Sequence, residues 1–515
     1  VTKQITLTKR EAVFIPIKAI TTEIRDRIKQ KLDFKFYDEK ACKDCEWLSE
    51  RHCDICDTCP GFKAGYNLAP TVKVNENRYI KVPVGSHNLI VDYLETKGYE
   101  VTIKDKSPKR PIRAIQWRGK FREGQADAVV AMRRKRRGVM KAPPRSGKTV
   151  SGTAVICKLQ RKTIVIAAQR EWLNGFIETF IGSKTQKALT NLDPKRIKLC
   201  KTYEDFKNHD ICLCTPNIFY SDKGQAILAK LRDMFEVMFV DEVHMGAADK
   251  FIGILSKFNV RWMIGLSGTP SRKDAKYVLV RHVVGPIIHE VKVESLRPHV
   301  KVRFTSYQKT HKGNVLWVRM VSALENDKKR IDQIAKEAIK DVAAGHLVMI
   351  PYTQMKPVLA TIKRINELAG KTLAYPYHGQ VPKKVLDQTL ERARKYRVKI
   401  LVGTTKKLSV GLNIPRASML YEVAMSSNKE NAEQRMRRVT TKMKPEDERP
   451  GFPKPDPCIK YFLDDMNVRR NCAKNEFFNV LRPKLQPHID ERTQLLLDTY
   501  FKAKSGGRAE GKFEL

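Results

Sequence analysis

Val237-Met238-Phe239-Val240-Asp241-Glu242-Val243-His244 closes an all-apolar run with two adjacent carboxylates. A short apolar run of this kind reads as a fully buried strand of a parallel sheet, and open parallel sheets bind ligands beyond the carboxyl ends of their strands. Upstream, Ala142-Pro143-Pro144-Arg145-Ser146-Gly147-Lys148-Thr149 follows another strand-like run and precedes a helical stretch. That is the setting in which a loop of backbone N–H groups cradles phosphates. Lys148 is placed to reach the β and γ phosphates and Thr149 to reach Mg²⁺, while Arg145 stands where many such loops carry glycine. Asp241 can hold the metal and Glu242 can position or deprotonate an attacking water. Either segment alone would pass for a surface turn or a solvated acidic pair; together they read as a nucleoside-triphosphate site.

The 515 residues exceed a single core and fit about three to four units. Lys and Arg number 99 against 56 Asp and Glu, a formal charge of +43 that suits a polyphosphate partner. No apolar run approaches the ~18 residues of a membrane span, and Val1-Thr2-Lys3-Gln4 is not a signal peptide, so a soluble, cytoplasmic protein (host cytoplasm, were it viral) with no membrane partner is expected. A loose tail opens at Ser505-Gly506-Gly507.

Short apolar runs alternate with helical patterns from Trp117 to about Pro286: Val139-Met140-Lys141-Ala142, Thr163 to Ala167, Ile211 to Cys214, Val237 to Val240 and Trp262 to Leu266. A second series runs through Leu347 to Ile350, Ala374 to Tyr377, Ile400 to Gly403, Met419 to Val423 and Tyr461 to Leu463. The spacing predicts an α/β chain of two tandem parallel-sheet lobes behind a small N-terminal α+β module. The boundaries read as module 1–112, first lobe 113–290, extended connector 291–330, second lobe 331–470 and C-terminal extension or tail 471–515. Lys104 to Pro111, charged and with two prolines, reads as a linker.

From about residue 117 to 465 the chain resembles the superfamily 2 helicases and translocases, whose two lobes are RecA-like. Asp241-Glu242-Val243-His244 is a variant of that family's second motif. Phe121-Arg122-Glu123-Gly124-Gln125 resembles the element whose Gln reads the adenine edge, which implies nucleotide contacts for Arg122 and Gln125 beside Arg145, Ser146, Gly147, Lys148 and Thr149. Ser267-Gly268-Thr269-Pro270 resembles the motif coupling hydrolysis to strand movement, and the likeness gives His244, Ser267, Thr269 and Gln434 coupling roles. Ala167-Ala168-Gln169-Arg170 and Thr215-Pro216 match backbone-touching positions, implying nucleic-acid contacts at Gln169, Arg170, Thr215 and Pro216.

In the second lobe His378-Gly379 resembles the family's His-Gly turn. Gly403-Thr404-Thr405 with Gly411-Leu412-Asn413-Ile414-Pro415 resembles the fifth motif. The likeness implies nucleic-acid contacts at His378, Gly379 and Thr404, and nucleotide contacts at Gly411 and Asn413. Gln434-Arg435-Met436-Arg437-Arg438 resembles the sixth motif and would put Arg435 and Arg438 across the cleft from Lys148, where a guanidinium stabilises the transferring phosphoryl group. Arg437 stands where that motif usually has glycine, and Thr441 where it often has a further arginine; Arg438 is the favoured finger.

Cys42-x2-Cys45 followed by Cys53-x2-Cys56-x2-Cys59 offers five thiolates in one short span. Four of them suit tetrahedral zinc, with an iron–sulfur cluster as the alternative. Arg133-Arg134-Lys135-Arg136-Arg137 reads as a solvated helix end rather than a signal. Lys104 to Arg122, with Trp117, is the better candidate for a duplex-contacting surface.

The compact lobes and small N-terminal module resemble repair-type translocases and phage branch-migration helicases of the UvsW-like kind. That implies ATP and Mg²⁺ as ligands and branched or forked duplex DNA as partner. It further implies fork regression, Holliday-junction migration or unwinding of recombination and repair intermediates. The competing readings are an RNA helicase, the motor subunit of a restriction system, and an ATP-gated clamp without net translocation.

Overall fold

A computed structural model describes residues 3–37, 62–143, 146–183, 186–244, 249–268, 277–291, 296–307, 317–409, 414–425, 429–443, 448, 451–464 and 466–502. The chain falls into two compact units, Val1–Val293 and Glu294–Leu515.

The first unit holds the N-terminal module and the first lobe. The module is a five-stranded sheet in the order Thr71–Val74, Asn77–Pro83, Ala12–Pro16, Lys3–Lys9, Tyr99–Asp105. Its one parallel pair is Lys3–Lys9 with Tyr99–Asp105. Alternate residues such as Ile5, Leu7, Val13, Ile15, Ile80 and Val82 turn inward against the helices Thr22–Lys31 and His87–Thr96, as the period of two requires. The hairpin Asp33–Tyr37 with Phe62–Asn67 pairs Tyr37 with Phe62, closing the ends of the cysteine segment. Cys42, Cys45, Cys53, Cys56 and Cys59 lie outside the described residues.

The first lobe is a seven-stranded sheet in the order Ile197–Leu199, Ile211–Cys214, Thr163–Ala167, Val237–Asp241, Trp262–Ser267, Arg137–Lys141, Ile287–Glu290. Every neighbouring pair is parallel. All five residues of Val237–Asp241 are buried, because helices cover both faces of such a sheet. Each fully buried Val, Met or Phe there contributes about 1.5–3 kcal/mol.

The expected linker is instead a pinned segment. The Arg110 backbone N–H donates to Glu236 Oε2 at 2.6 Å, and Asn259 Nδ2 donates to Lys106 O at 3.2 Å. Arg232 reaches Glu11 at 2.5 Å, and Ser86 Oγ lies 2.8 Å from His282 Nδ1. Glu236 and Asn259 stand just ahead of the strands Val237–Asp241 and Trp262–Ser267, so the module is fastened at the amino-terminal edge of the lobe's sheet. The opposite edge is left for the motifs. Arg133, Arg134 and Lys135 form the exposed last turn of Gln125–Lys135, as read from sequence, whereas Arg137 of the same run opens the strand Arg137–Lys141 and donates to Val260 O at 3.0 Å.

The second unit contains a six-stranded, all-parallel sheet in the order His299–Phe304, Cys458–Leu463, Ala417–Glu422, Leu347–Tyr352, Ile400–Thr404, Ala374–Tyr377. Pro376 is tolerated because its strand is an edge. Two expected boundaries differ here. The connector 291–330 contains the edge strand His299–Phe304 and the helix Trp317–Glu325. Fully buried Glu325 accepts from the Thr353 N–H and hydroxyl, and Arg330 meets Asp464 at 2.8 Å with both side chains fully buried.

The expected tail is also integral as far as residue 502, while the loose stretch expected from Ser505 lies outside the described residues. Helix Asn467–Glu476 and the segments Phe477–Leu481, Arg482–Leu485 and Glu491–Lys502 place Phe477, Val480, Leu481, Leu485, Leu497 and Tyr500 in the core. A period-two run followed by a polar stretch resembles a connector until its neighbouring strand, more than 150 residues away in sequence, is brought beside it.

Candidate nucleotide and nucleic-acid site

The sheet register brings the first unit's motifs to one edge. Asp241 is level with Ala167 and Leu266, Cys214 with Ile166, and Ser267 with Lys141. Gln169 and Arg170 therefore begin the helix Arg170–Ile181 beyond one strand, and Thr215 and Pro216 begin the short helix Pro216–Phe219 beyond another. The carboxyl edge of the sheet carries them all.

The phosphate loop leaves Arg137–Lys141 and enters the helix Lys148–Leu159 through Gly147, whose φ is +83°. A Cβ there would also fall 2.1 Å from Gln125 Nε2, so only glycine makes both the turn and the close approach. Gln125 is buried; its Nε2 donates to Ser146 O at 2.8 Å, and its Oε1 accepts from the Arg122 N–H at 2.9 Å. Both ends of the amide of Gln125, the residue expected to read adenine, thus hold the phosphate loop to the preceding segment.

Lys148 Nζ and Glu242 Oε1 are 2.6 Å apart, with the two side chains only 11% and 19% exposed. Glu242 N–H donates to Asp241 Oδ1 at 3.0 Å, and Glu242 sits at φ +46°. A non-glycine residue in that region costs of order 1–3 kcal/mol and is met most often at functional sites. Burial, then the neighbouring Glu242 charge, pushes the Asp241 carboxyl up to about 7. Burial also opposes ionisation of Glu242, but the Lys148 and His244 charges and the hydrogen bonds from Lys148 and the Gly268 N–H outweigh it and hold that carboxyl below its ordinary value. Two adjacent acids are therefore driven apart in proton affinity. His244 Nδ1 lies 2.9 Å from Ser267 Oγ and 3.4 Å from Glu242 Oε2, linking the acidic pair to the next strand.

These residues fit a Mg²⁺-bound nucleotide. The first-turn N–H groups of Lys148–Leu159 face the loop, Ser146 Oγ is buried with no partner among the described residues, and Asp241 is an acid that a cation would ionise. Arg145, Thr269, Gly411 and Asn413 lie outside the described residues.

In the second unit the register again levels the motifs, with Tyr377 beside Gly403 and Tyr352 beside Thr404. His378, 5% exposed and with its imidazole pushed down by burial, and Gly379 follow directly from Tyr377. Gln434, Arg435 and Arg438 share the helix Lys429–Thr440. Arg435 is 1% exposed: its Nη2 lies 2.9 Å from Glu422 Oε2 and 3.0 Å from Glu476 Oε1. Those two charges more than offset burial and hold the guanidinium above its ordinary pKa. Arg435, expected from sequence to be catalytic, is therefore committed inside its own unit.

Sequence reading missed Glu422 and Glu476. Glu422 carried a usable signal, an acid closing an apolar strand just as Asp241 does; Glu476 carried none, because its partner is 41 residues away.

Residues 114–272 match the family described as Type III restriction enzyme, res subunit, and residues 330–441 match the Helicase conserved C-terminal domain. The two spans together take up more than half of the chain. The chain belongs to the superfamily 2 helicases. Among relatives of this helicase, the XPB helicase/translocase subunit of the TFIIH basal transcription factor complex of Trypanosoma brucei brucei is 24% identical over 238 residues, 42% of this chain and 23% of that protein. The chain thus spans less than a quarter of that relative's length. DNA 3'-5' translocase XPB2 of Sulfurisphaera tokodaii is 20% identical over 327 residues, 63% of this chain and 69% of its own. A solved fragment of a type I restriction enzyme from Vibrio vulnificus YJ016, described as its HsdR subunit, covers 73% of this chain and 68% of its own. Its identity is 16% and its TM-score 0.51, a likeness of fold. Among the described residues, no helix of this helicase is long and apolar enough to cross a membrane.

Proposed function

We propose that this helicase is an ATP-dependent DNA translocase that remodels branched or forked duplex DNA, including fork regression, junction migration and unwinding of recombination or repair intermediates. The observation that carries the reading is the Lys148–Glu242 contact at 2.6 Å beside Asp241. An entering triphosphate competes for the Lys148 ammonium, and Glu242, released from it, is then a free carboxylate able to orient or deprotonate water. Bound Mg²⁺ would neutralise charge on the phosphate oxygens, with Thr149 and Asp241 as its protein ligands. His244 and Ser267 carry the change in Glu242 to the adjoining strand, on the edge that also bears Gln169, Arg170, Thr215 and Pro216. Of the two sixth-motif arginines, we assign Arg438 to the transferring phosphate, because Arg435 is held by Glu422 and Glu476.

We take DNA as the substrate, after the activity named for the Sulfurisphaera relative; a mimivirus relative 21% identical over 498 residues is named for RNA helicase activity, and the RNA arm of the test separates the two. Four of Cys42, Cys45, Cys53, Cys56 and Cys59 are assigned to zinc. The paired strands bring residues 37 and 62 together, and thiolates at this spacing are soft, tetrahedral donors.

The test is ATP turnover across single-stranded DNA, duplex, fork, four-way junction and RNA at one stated salt concentration. Greatest stimulation by fork or junction is expected, with hydrolysis lost in Lys148→Ala and Glu242→Gln while DNA binding persists. Stimulation by RNA alone would overturn the substrate, and normal turnover by either variant would overturn the site.

A further inference from the structure

Residues 109–122 join the module to the helix Gln125–Lys135 and contain no acid. The segment is held along the first lobe: Lys162 N–H donates to Arg110 O at 2.8 Å, Ile112 N–H to Gln160 O at 3.1 Å, Gln116 N–H to Asn191 Oδ1 at 2.7 Å, and Arg118 N–H to Leu189 O at 2.8 Å. From buried Ile115 onward the pattern alternates, with Gln116, Arg118, Lys120 and Arg122 exposed and the residues between them turned inward. Such alternation of burial puts the exposed side chains on one face of the segment. The inward face is built on Trp117 and Phe121, whose rings stack at 5.5 Å and 14°. Gly119 crosses over the indole, where a Cβ would fall 2.4 Å from the ring. The chain can lie that close only without a side chain.

The result is a row, tied to the first lobe by these hydrogen bonds, whose cations face outward. Arg110 spends its Nε on Asp233 O at 3.0 Å, but among the described residues Arg118 and Lys120 enter no ion pair. Cations on alternate exposed positions, with no acid between them and the Arg118 N–H already paired, match a polymer of repeated anions better than they match any single charged group.

We propose that this strap is a rail for the phosphate backbone of one nucleic-acid strand, with Arg118 and Lys120 as its cations and Gln116 as a hydrogen-bonding neighbour. The sequence alone suggested a broad basic surface; the burial alternation narrows it to one exposed row and to a single strand. Arg122 shares the face but belongs to the nucleotide set and is left out of the test. The proposal rests on the motor reading only in taking nucleic acid as the bound polymer.

The experiment measures binding of a labelled, mixed-sequence single-stranded oligonucleotide, as DNA and as RNA, over a salt series. It compares the full chain with the variants R118A/K120A and R118K/K120R, and ATP turnover without nucleic acid is followed alongside. Each lost phosphate contact should reduce the steepness of log affinity against log salt by about 0.7 for a single strand, so R118A/K120A should be shallower by about 1.4. R118K/K120R should keep the wild-type slope, since a point charge suffices at a phosphate, and unstimulated turnover should be unchanged in both. Loss of slope in either arm supports the rail and names the polymer. An unchanged slope in R118A/K120A overturns it, as does an equal loss in R118K/K120R, which would mean that only the shape of the segment matters. Wild type that binds neither oligonucleotide overturns the motor reading itself, and the rail with it.

Discussion

Replacing Arg435 by methionine separates a catalytic role from a structural one. The guanidinium is 1% exposed, 2.9 Å from Glu422 and 3.0 Å from Glu476, and both acids are fully buried. Without the cation, two carboxylates face each other away from water. Removing one partner from a buried ion pair costs about 3–5 kcal/mol. In a unit of this size each kcal/mol moves the melting midpoint by about 2–4 °C, so R435M should lower the transition of the second unit by about 6–20 °C. The assay is thermal unfolding of the full chain by calorimetry. Adding E422Q and E476Q to R435M should recover part of the loss, because no buried charge then remains. The deficit should also be smaller at pH 5 than at pH 8, since protonation relieves the stranded acids in the folded state and stability then falls as pH rises. A wild-type melting curve for R435M together with abolished ATP turnover would refute the reasoning and return Arg435 to the phosphate.

Asp241 makes a second prediction. Its carboxyl is raised to about 7, so the folded protein holds a proton that the unfolded chain has already released, and stability falls as pH rises through that window. Metal binding runs the other way, because the ligand must be ionised. Mg²⁺ affinity, read from Mg²⁺-dependent nucleotide binding, should weaken by about tenfold for each unit below that value, and D241N should abolish the trend; Mg²⁺ affinity indifferent to pH from 6 to 8 would discard the assignment. For the cysteine segment, elemental analysis should find about one zinc per chain, lost in C42S/C45S. A brown protein absorbing in the visible would identify an iron–sulfur cluster instead.

Much of the fold was readable because parallel strands buried on both faces leave continuous apolar runs. Thr163–Ala167 and Ile211–Cys214 coincide with runs read on that ground, and Val237–Asp241 and Ile400–Thr404 extend theirs by one residue. His299–Phe304 was not readable as part of the second sheet, since an edge strand alternates and its partner, Cys458–Leu463, is distant in sequence. The C-terminal helices read as an extension in sequence because a charged segment with scattered apolar residues reveals its buried face only when a core is placed against it.

The sequence by itself determined the motif order, the phosphate loop at Gly147-Lys148-Thr149, the acids Asp241 and Glu242 and the two-lobed α/β plan, since local spacing and strand-end chemistry are written in neighbouring residues. Only the tertiary structure decided that Gln125 grips Ser146, that the Lys148 ammonium donates to the Glu242 carboxylate, that Arg435 is neutralised by Glu422 and Glu476, and that Arg118 and Lys120 stand in one exposed row. Each of these depends on burial or on a partner far away in the chain. Desolvation and charge pairing act through space, so a linear sequence carries the groups but not the distances that set what they do.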